Sequence, residues 1–169
     1  NTTAGVYLDS QYFGKAGLQN GERGLKVNDV NYAIFYDTGS HWQKTMLLPS
    51  VVGVSSLNSG EPEFLFGYDA IRLAGSSYID EGFCVFYDIK RWISDYGKLE
   101  EVTDRDGRRK FIPRKEILKA YFNYVIQAVQ NRFKCKVEKL HISCPVKQKS
   151  QFQRLFEEIL PGIAMDKKD

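Results

Sequence analysis

The segment 115–133 most constrains what this chain can fold into. Its apolar residues recur at the spacing of one face of an α-helix: Ile117, Leu118, Tyr121, Val125, Ala128, Val129 and Phe133. A helix of this kind needs an apolar surface to pack on. Hydrophobic residues make up 43% of the 169-residue chain, which is enough to bury a core in one domain or one lobe. We therefore predict a single compact unit, 1–169, that contains this helix.

Strand-like runs precede the long helix, and turn residues separate them. The first run, 6–8, reaches Asp9, and a second resumes at Tyr12 and Phe13 before the hairpin-type dipeptide Asn20-Gly21. The third run covers 30–39 and the fourth 47–56, and a short apolar strand at 64–66 follows. Pro49 stands at the entry of the fourth run, where a missing N–H is tolerated. We predict three or four early strands, with a helical turn at 68–73 after the last.

The stretch VFYDIKRWIS, residues 85–94, places charged side chains inside an aromatic and apolar run. We predict a helix here. Its inward residues would be Val85, Tyr87 or Ile89, Trp92 and Ile93, and its exposed residues Asp88, Arg91 and Asp95. Asp106-Gly107 then divides two polar strand-like runs, which predicts a hairpin that Pro113 closes just before the long helix.

Two further elements are predicted after the long helix. The alternation and apolar run of 136–145 favour a strand covered on both faces, with His141 a satisfied core side chain. Ser150 is the predicted cap of a last helix that Pro161-Gly162 ends. An antiparallel meander followed by helix-linked parallel strands indicates an α/β fold: a ribonuclease-H-like mixed sheet with flanking helices and an inserted hairpin/helix subdomain.

Composition disfavours several classes of function. The 24 basic and 21 acidic residues are too balanced for a nucleic-acid or anionic-membrane surface. Cys84, Cys135 and Cys144 show neither a CxxC pair nor metal-ligand spacing, which is typical of reduced cysteines and favours the cytoplasm. No apolar run approaches the ~20 residues of a membrane span, and no signal-peptide layout is present. Because the chain starts without Met and stops soon after a helix, we expect a piece of a longer polypeptide.

Four stretches carry a family resemblance, in this order: VYLDSQYFGKA, KTMLLPSVVGV, FLFGYDAIRLA with CVFYDIKRWIS, and VEKLHISCPVKQKSQFQRLFEEI. Together they resemble the first, N-terminal lobe of the nucleotide-binding domain of seventy-kilodalton heat-shock chaperones, within the actin and sugar-kinase ATPase superfamily. YDIKRWI is the most specific, since the family carries an apolar-x-Ile-Lys-Arg-apolar-Ile segment there, and LPSVV is similar to its threonine-proline-serine strand. The resemblance implies an actin-like ATPase lobe that binds ATP and Mg²⁺ in the cytoplasm.

The resemblance also implies roles for particular residues. The family's lysine at Lys90 helps to position the water that attacks the γ-phosphate, and an ammonium can stabilise the charge that develops there. Without the resemblance, Lys90 would be a surface lysine of a helix. The family's first aspartate, at Asp9, holds Mg²⁺ through water, as suits a hard cation that keeps its hydration. Asp9 is otherwise a strand-end turn residue.

The first phosphate loop departs from the family pattern. Where the family reads Asp-x-Gly-Thr, this chain continues from Asp9 with Ser10, Gln11, Tyr12, Phe13, Gly14 and Lys15. A Cβ at Gln11 restricts a left-handed turn, and Tyr12 could fill the space of a β-phosphate. Ser10, Gly14 and Lys15 could compensate through a shifted loop, and a degenerate pocket is equally compatible.

Other candidate residues have weaker support. Ser143 and Pro145 stand where the family's Ile-Thr-Val-Pro strand end lies near the attacking water, and a buried strand leaving through a proline explains them as well. His41 lies in a loop without a triad pattern. The family's second phosphate loop and adenosine segment do not occur in these residues, so the resemblance implies that a second lobe of the same domain completes the cleft, and that the isolated fragment is inactive.

Three functions follow from these observations. The first is one wall of an ATPase cleft, in a parent protein whose nucleotide state is coupled to a peptide or co-chaperone-like partner. The second is a non-catalytic interaction module that kept the fold, which Gln11 and Tyr12 favour. The third is a ribonuclease-H-like nuclease using Asp9 and Asp37, which lacks a convincing glutamate on the following helix and disagrees with the charge balance.

Overall fold

The chain folds as a mixed α/β structure. The computed structural model describes residues 1–6, 8, 30–37, 39, 41–58, 60–76, 84–137 and 140–162. The strands are β1 (Gly5–Val6), β2 (Asn31–Tyr32), β3 (Phe35–Asp37), β4 (Gln43–Thr45), β5 (Val52–Ser56), β6 (Glu63–Phe66), β7 (Val85–Phe86), β8 (Leu99–Thr103) and β9 (Arg109–Pro113). The helices are α1 (Tyr68–Ser76), α2 (Arg114–Phe133) and α3 (Lys149–Ile159), with short 3₁₀ helices η1 (Ile89–Ser94), η2 (Val146–Gln148) and η3 (Leu160–Gly162).

Among the described residues, the strands form four small sheets rather than one. β1 pairs with β2, β3 with β4 and β8 with β9, while β5 lies between β6 and β7. Every strand pair within the described ranges is antiparallel. Of the predicted early strands, the run 6–8 overlaps β1 at Val6, the run 30–39 is divided into β2 and β3, and the run 47–56 contains β5, whereas Tyr12 and Phe13 lie outside the described residues. The strand at 64–66 and the helical turn after it are confirmed as β6 and α1. The helix-linked parallel strands of the predicted mixed sheet are not observed in this part of the chain.

The long helix α2 lies between the three-stranded sheet and α3. On the sheet side, Phe66 of β6 stacks on Tyr124, with ring centroids 4.7 Å apart. On the other side, Phe122 meets Phe156 of α3 edge to face at 4.9 Å. Ile117, Leu118, Tyr121, Val125, Ile126 and Val129 are buried. The predicted helix and most of its apolar face are therefore confirmed, whereas Ala128 and Phe133 are only partly buried.

The predicted hairpin is also confirmed. β8 and β9 pair in continuous register from Thr103 opposite Arg109 to Leu99 opposite Pro113. Gly107 supplies the positive φ of 75° that the connecting turn requires. Pro113 has an extended conformation and directly precedes α2, because a proline is tolerated where a helix starts.

A buried carboxylate joins this hairpin to the end of β5. Asp104 is fully buried and accepts hydrogen bonds from the backbone N–H groups of Leu57 (2.9 Å), Asp106 (3.0 Å) and Arg108 (2.9 Å). Burial favours a higher pKa for Asp104, but these donors and the charge of Arg108 outweigh it and lower the pKa below its usual value. The ionised carboxylate therefore stabilises the junction.

Replacing Asp104 by asparagine is expected to lower the Tm by at least about 5 °C near neutral pH, because an amide N–H then faces a backbone N–H. Asp106→Asn is the control, since Asp106 is an exposed carboxylate of the same turn. The folded pKa of Asp104 is below the unfolded value, so its contribution is present above about pH 4 and is lost as the pH falls through the folded pKa.

Thermal unfolding followed by circular dichroism from neutral to strongly acidic pH tests this prediction. The Tm difference between the wild type and Asp104→Asn should shrink as the pH falls. A difference that stays constant over the whole range would contradict a role for the charge of Asp104.

The predicted strand at 136–145 is wrong for the residues that the structure describes there. Residues 136–137 and 140–145 form neither a helix nor a strand. Leu140, His141 and Ile142 are exposed, so His141 is not a core side chain. An apolar alternation becomes a strand only where a neighbouring strand pairs with it, and no described strand does so.

The start of the last helix also differs from the prediction. α3 begins at Lys149 after Gln148, and Ser150 lies inside its first turn. The short helix η2 runs directly into α3, so the chain is already helical before Ser150. The apolar residues of α3 face inward, with Leu155, Phe156 and Ile159 buried and Phe152 partly buried. The helix ends near the predicted Pro161-Gly162, where η3 adds a final 3₁₀ turn.

Candidate functional site

The candidate site is centred on the short helix η1, which carries Lys90. The predicted α-helix over 85–94 is wrong in its first part. Val85 and Phe86 instead form β7 and pair with Gly53 and Val52 of β5. A β-branched and an aromatic residue beside an open strand edge favour sheet pairing over helix. Asp88 then adopts a left-handed conformation with φ of 52°, and the 3₁₀ turns begin after it.

The core anchors η1 through two side chains. Ile89 and Ile93 are fully or almost fully buried, as predicted for this apolar face. Trp92 is partly buried and contacts Phe86 edge to face, with 5.4 Å between ring centroids. Asp88, Arg91 and Asp95 are exposed, which confirms the predicted exposed face. Lys90 lies between these faces and is half-buried.

The ammonium of Lys90 reaches the beginning of the chain. Its Nζ donates a hydrogen bond of 2.7 Å to the backbone carbonyl of Asn1. Thr2, the next residue, forms a β-bridge with Leu48 through backbone hydrogen bonds of 2.7 and 2.8 Å. The Asn1 carbonyl is therefore held in place by backbone pairing directly beside it.

A buried tyrosine, Tyr121, contacts the chain at Thr2. The Tyr121 hydroxyl lies 2.8 Å from Thr2 Oγ1 and 3.3 Å from the Pro49 carbonyl. Thr2 Oγ1 is in turn 3.3 Å from Ser50 Oγ. Burial raises the pKa of the Tyr121 hydroxyl, while the hydrogen bonds with Thr2 and Ser50 oppose that rise. Tyr121 thus links α2 to Thr2, the residue that follows the Asn1 carbonyl.

Lys90 has an unusual charge environment for a half-buried lysine. Within the described ranges, no Asp or Glu oxygen lies within 4.0 Å of its Nζ, and its hydrogen-bond partner is a neutral carbonyl. Burial lowers the pKa of Lys90 below its usual value, because the charged form is partly desolvated. An anion that approached Lys90 would offset this cost, so the site is suited to a phosphate or a carboxylate ligand.

The remaining predicted site residues fall into two groups. Asp9, Ser10, Gln11, Tyr12, Gly14 and Lys15 lie outside the described residues. Ser143 and Pro145 are exposed and belong to the irregular segment before η2. Among the described residues, neither of them forms a hydrogen bond with Lys90. The structure therefore gives an environment for Lys90 alone among the predicted catalytic residues.

Two candidates weighed for other functions have structural explanations. The carboxylate of Asp37 accepts a hydrogen bond of 3.0 Å from the backbone N–H of Gly39, a turn interaction. His41 lies in a turn with φ of 54° and is exposed, as its predicted loop position implies. In the described part of the chain, no group of three or more His, Cys, Asp and Glu side chains could hold a metal ion.

The sequence reasoning missed the contacts that support the far end of η1. Arg114 opens α2 and forms ion pairs with Asp95 and Glu100. The next residue, Lys115, donates to Glu158 Oε2 at 3.1 Å, and the Tyr96 hydroxyl donates to Glu158 Oε1 at 2.9 Å. Positive charges are unfavourable at the N-terminus of a helix. The sequence Arg114-Lys115 directly after Pro113 therefore indicated that both side chains need acidic partners.

The sequence matches no protein-family model and no curated protein. The three cysteines are free thiols and partly buried. The longest helix in the described ranges, α2, carries several charged side chains, and none of the helices there is long and apolar enough to cross a lipid bilayer.

Proposed function

We propose that this chain is the N-terminal lobe of an ATP-binding domain of the seventy-kilodalton heat-shock chaperone type, with a ribonuclease-H-like fold, and that Lys90 acts on the γ-phosphate. One observation carries the proposal: the half-buried ammonium of Lys90 has a neutral hydrogen-bond partner and no carboxylate within 4.0 Å among the described residues. The resemblance of YDIKRWI to the family's lysine segment supports the same role.

The chemistry of this site suits phosphoryl transfer. A phosphoryl group in transfer spreads negative charge over its oxygens, and a fixed, partly desolvated ammonium stabilises that charge more strongly than one in bulk water. Lys90 would bind and orient the terminal phosphate and leave proton transfer to other groups. Mg²⁺, held through water by Asp9, would neutralise part of the phosphate charge. A second lobe of the same domain would supply the opposite wall of the cleft, and a peptide or co-chaperone-like protein would respond to the nucleotide state.

Titration of the full-length protein with MgATP tests the proposal. We expect one nucleotide per domain by calorimetry and a rise in Tm, since a ligand at a hundred times its Kd adds about 2.7 kcal/mol to the free energy of unfolding. The isolated chain 1–169 should bind far more weakly, because it would offer one wall only. Absence of both binding and thermal protection at millimolar MgATP would refute the proposal for the full-length protein. Micromolar binding with steady phosphate release by the isolated chain would refute the division into two walls.

A non-catalytic interaction module is the second candidate, and an exposed aromatic pair favours it. Trp42 is 65% exposed and Tyr36 46% exposed, and their ring centroids are 6.5 Å apart. Trp42 also has a φ of 60°, a conformation that costs energy for a bulky residue. Failure of MgATP to protect the full-length protein would favour this function, which Gln11 and Tyr12 also support.

A further inference from the structure

The guanidinium of Arg114 connects η1 with two neighbouring elements. Its Nε donates to Glu100 Oε1 of β8 at 2.7 Å, and its Nη1 donates to Asp95, the residue directly after η1. Its Cζ lies 4.7 Å from the centre of the Trp92 ring, within cation–π distance. The Arg114 side chain is only 12% exposed, so these contacts take the place of most of its contacts with water. We refer to Trp92, Asp95, Glu100 and Arg114 as the Arg114 cluster.

Backbone hydrogen bonds strengthen the same junction. The N–H of Arg114 donates to the Lys98 carbonyl at 2.9 Å, and the N–H of Lys115 donates to the Tyr96 carbonyl at 2.8 Å. These donors belong to the first turn of α2 and would otherwise lack intrahelical partners. The loop that leaves η1 is therefore fixed on the start of the long helix.

Lys90 depends on this support because η1 is short. A 3₁₀ helix of six residues has poor hydrogen-bond geometry and little stability of its own. Ile89 and Ile93 bury one face of η1 in the core. They do not fix how η1 is rotated about that face, so other contacts must do so. The cluster supplies such contacts through Trp92, which lies two residues after Lys90.

We propose that Arg114 is the positioning residue for Lys90: it holds η1 so that the ammonium keeps its place beside the Asn1 carbonyl. The side-chain contacts of Arg114 are with Trp92, Asp95 and Glu100, so its effect on Lys90 is indirect. The proposal rests on the proposed function for its kinetic consequence and on the contacts of the cluster for its structural one. The planar fork of arginine is needed, because a lysine cannot bind two carboxylates and stack on an indole in this way.

Kinetics of the full-length protein test the consequence for turnover. Arg114→Gln is expected to lower kcat for ATP hydrolysis by about tenfold and to change KM by less than about twofold, since misplacement of a catalytic group affects the transition state more than binding. In a Lys90→Ala background, the same substitution should cause no further loss of kcat. Equal losses in the two backgrounds would overturn the proposal, because a general structural defect acts with or without Lys90.

Chemical labelling tests the structural consequence without ATP. Acylation needs the neutral amine, so the rates are compared per neutral amine from a series of pH values. In the wild type this rate should be lower for the half-buried Lys90 than for the exposed Lys98, and Arg114→Gln should raise it for Lys90 by at least about threefold, because the amine loses its fixed, hydrogen-bonded position. The rate of Lys98 serves as the internal reference. Arg109→Gln is the matched control, because Arg109 is exposed and pairs with Glu101 on the same hairpin. An unchanged Lys90 rate in Arg114→Gln would overturn the proposal.

A milder variant covers the case in which Arg114→Gln fails to fold. Glu100→Gln keeps the shape of the acceptor and removes its charge, and it should shift both readouts in the same direction by a smaller factor; no shift in a folded Glu100→Gln would overturn the proposal. If Lys90→Ala retains full kcat, the proposed role of Lys90 in turnover fails and with it the kinetic role of Arg114. The labelling rates then separate that result from a failure of positioning.

Discussion

Replacement of Lys90 by alanine in the full-length protein is expected to lower kcat for ATP hydrolysis by about 100-fold, with less than about a threefold change in MgATP affinity. The ammonium stabilises charge that develops during transfer, so its loss affects the transition state more than the bound nucleotide. Steady-state phosphate release at saturating MgATP gives kcat, and calorimetric titration gives the affinity.

The control for this prediction is Lys98→Ala. Lys98 is exposed, follows η1 closely, and takes part in the described contacts through its backbone carbonyl. Its replacement should leave kcat unchanged. A Lys90→Ala protein with wild-type turnover, or one that loses affinity and turnover in equal proportion, would contradict a transition-state role for Lys90.

The pH profile gives an independent signature of the same residue. Burial lowers the pKa of Lys90, so the charged form is lost at a lower pH than for an exposed lysine, whose pKa is about 10.4. The alkaline fall of kcat/KM, which reports the free protein, should therefore lie below that value, and Lys90→Arg should move the fall to higher pH because arginine stays charged. Bound ATP should raise the pKa of Lys90 through attraction between opposite charges.

Replacement of Tyr121 by alanine is expected to lower the free energy of unfolding by about 3–5 kcal/mol, the usual cost of removing a large aromatic side chain from a core. Tyr121 is fully buried and contacts Phe66 and Phe122, with ring centroids 6.4 and 5.9 Å away. Such a loss is a large fraction of the stability of a typical domain. Urea unfolding followed by circular dichroism measures it.

Two further variants separate the ring of Tyr121 from its hydroxyl. Tyr87→Ala is the matched control, because Tyr87 is 54% exposed, and its loss should cost less than about 0.5 kcal/mol. Tyr121→Phe keeps the ring and removes the contacts with Thr2 and Pro49, which should cost about 1 kcal/mol. If Tyr121→Ala cost no more than Tyr121→Phe, packing of the ring would not be its main contribution.

Elements with a local signal were predictable from the sequence. The helical spacing of 115–133 identified α2 and most of its buried face, and Asp106-Gly107 with Pro113 identified the hairpin and the start of the helix. In each case the residues that specify the structure lie within the element or next to it. The resemblance selected Lys90 as a candidate site residue, chiefly through the segment YDIKRWI.

Elements that depend on distant partners were not predictable in this way. Residues 85–86 have apolar side chains that suit a helix or a strand. They form a strand because they pair with the open edge of β5. Residues 140–142 have the composition of a buried strand, yet they are exposed because no described strand pairs with them. Periodicity reports which side chains can be buried, and pairing decides whether they are.

The sequence by itself determined the long helix, the hairpin and the exposed and buried faces of η1, since each follows from spacing and turn chemistry over a few residues. Only the tertiary structure decided what surrounds Lys90. The Asn1 carbonyl lies 89 positions away from it along the chain, and the Arg114 cluster joins η1 to residues from two other elements. Contacts over such separations depend on the packing of the whole chain, because burial and charge pairing are set by elements that a local pattern does not include.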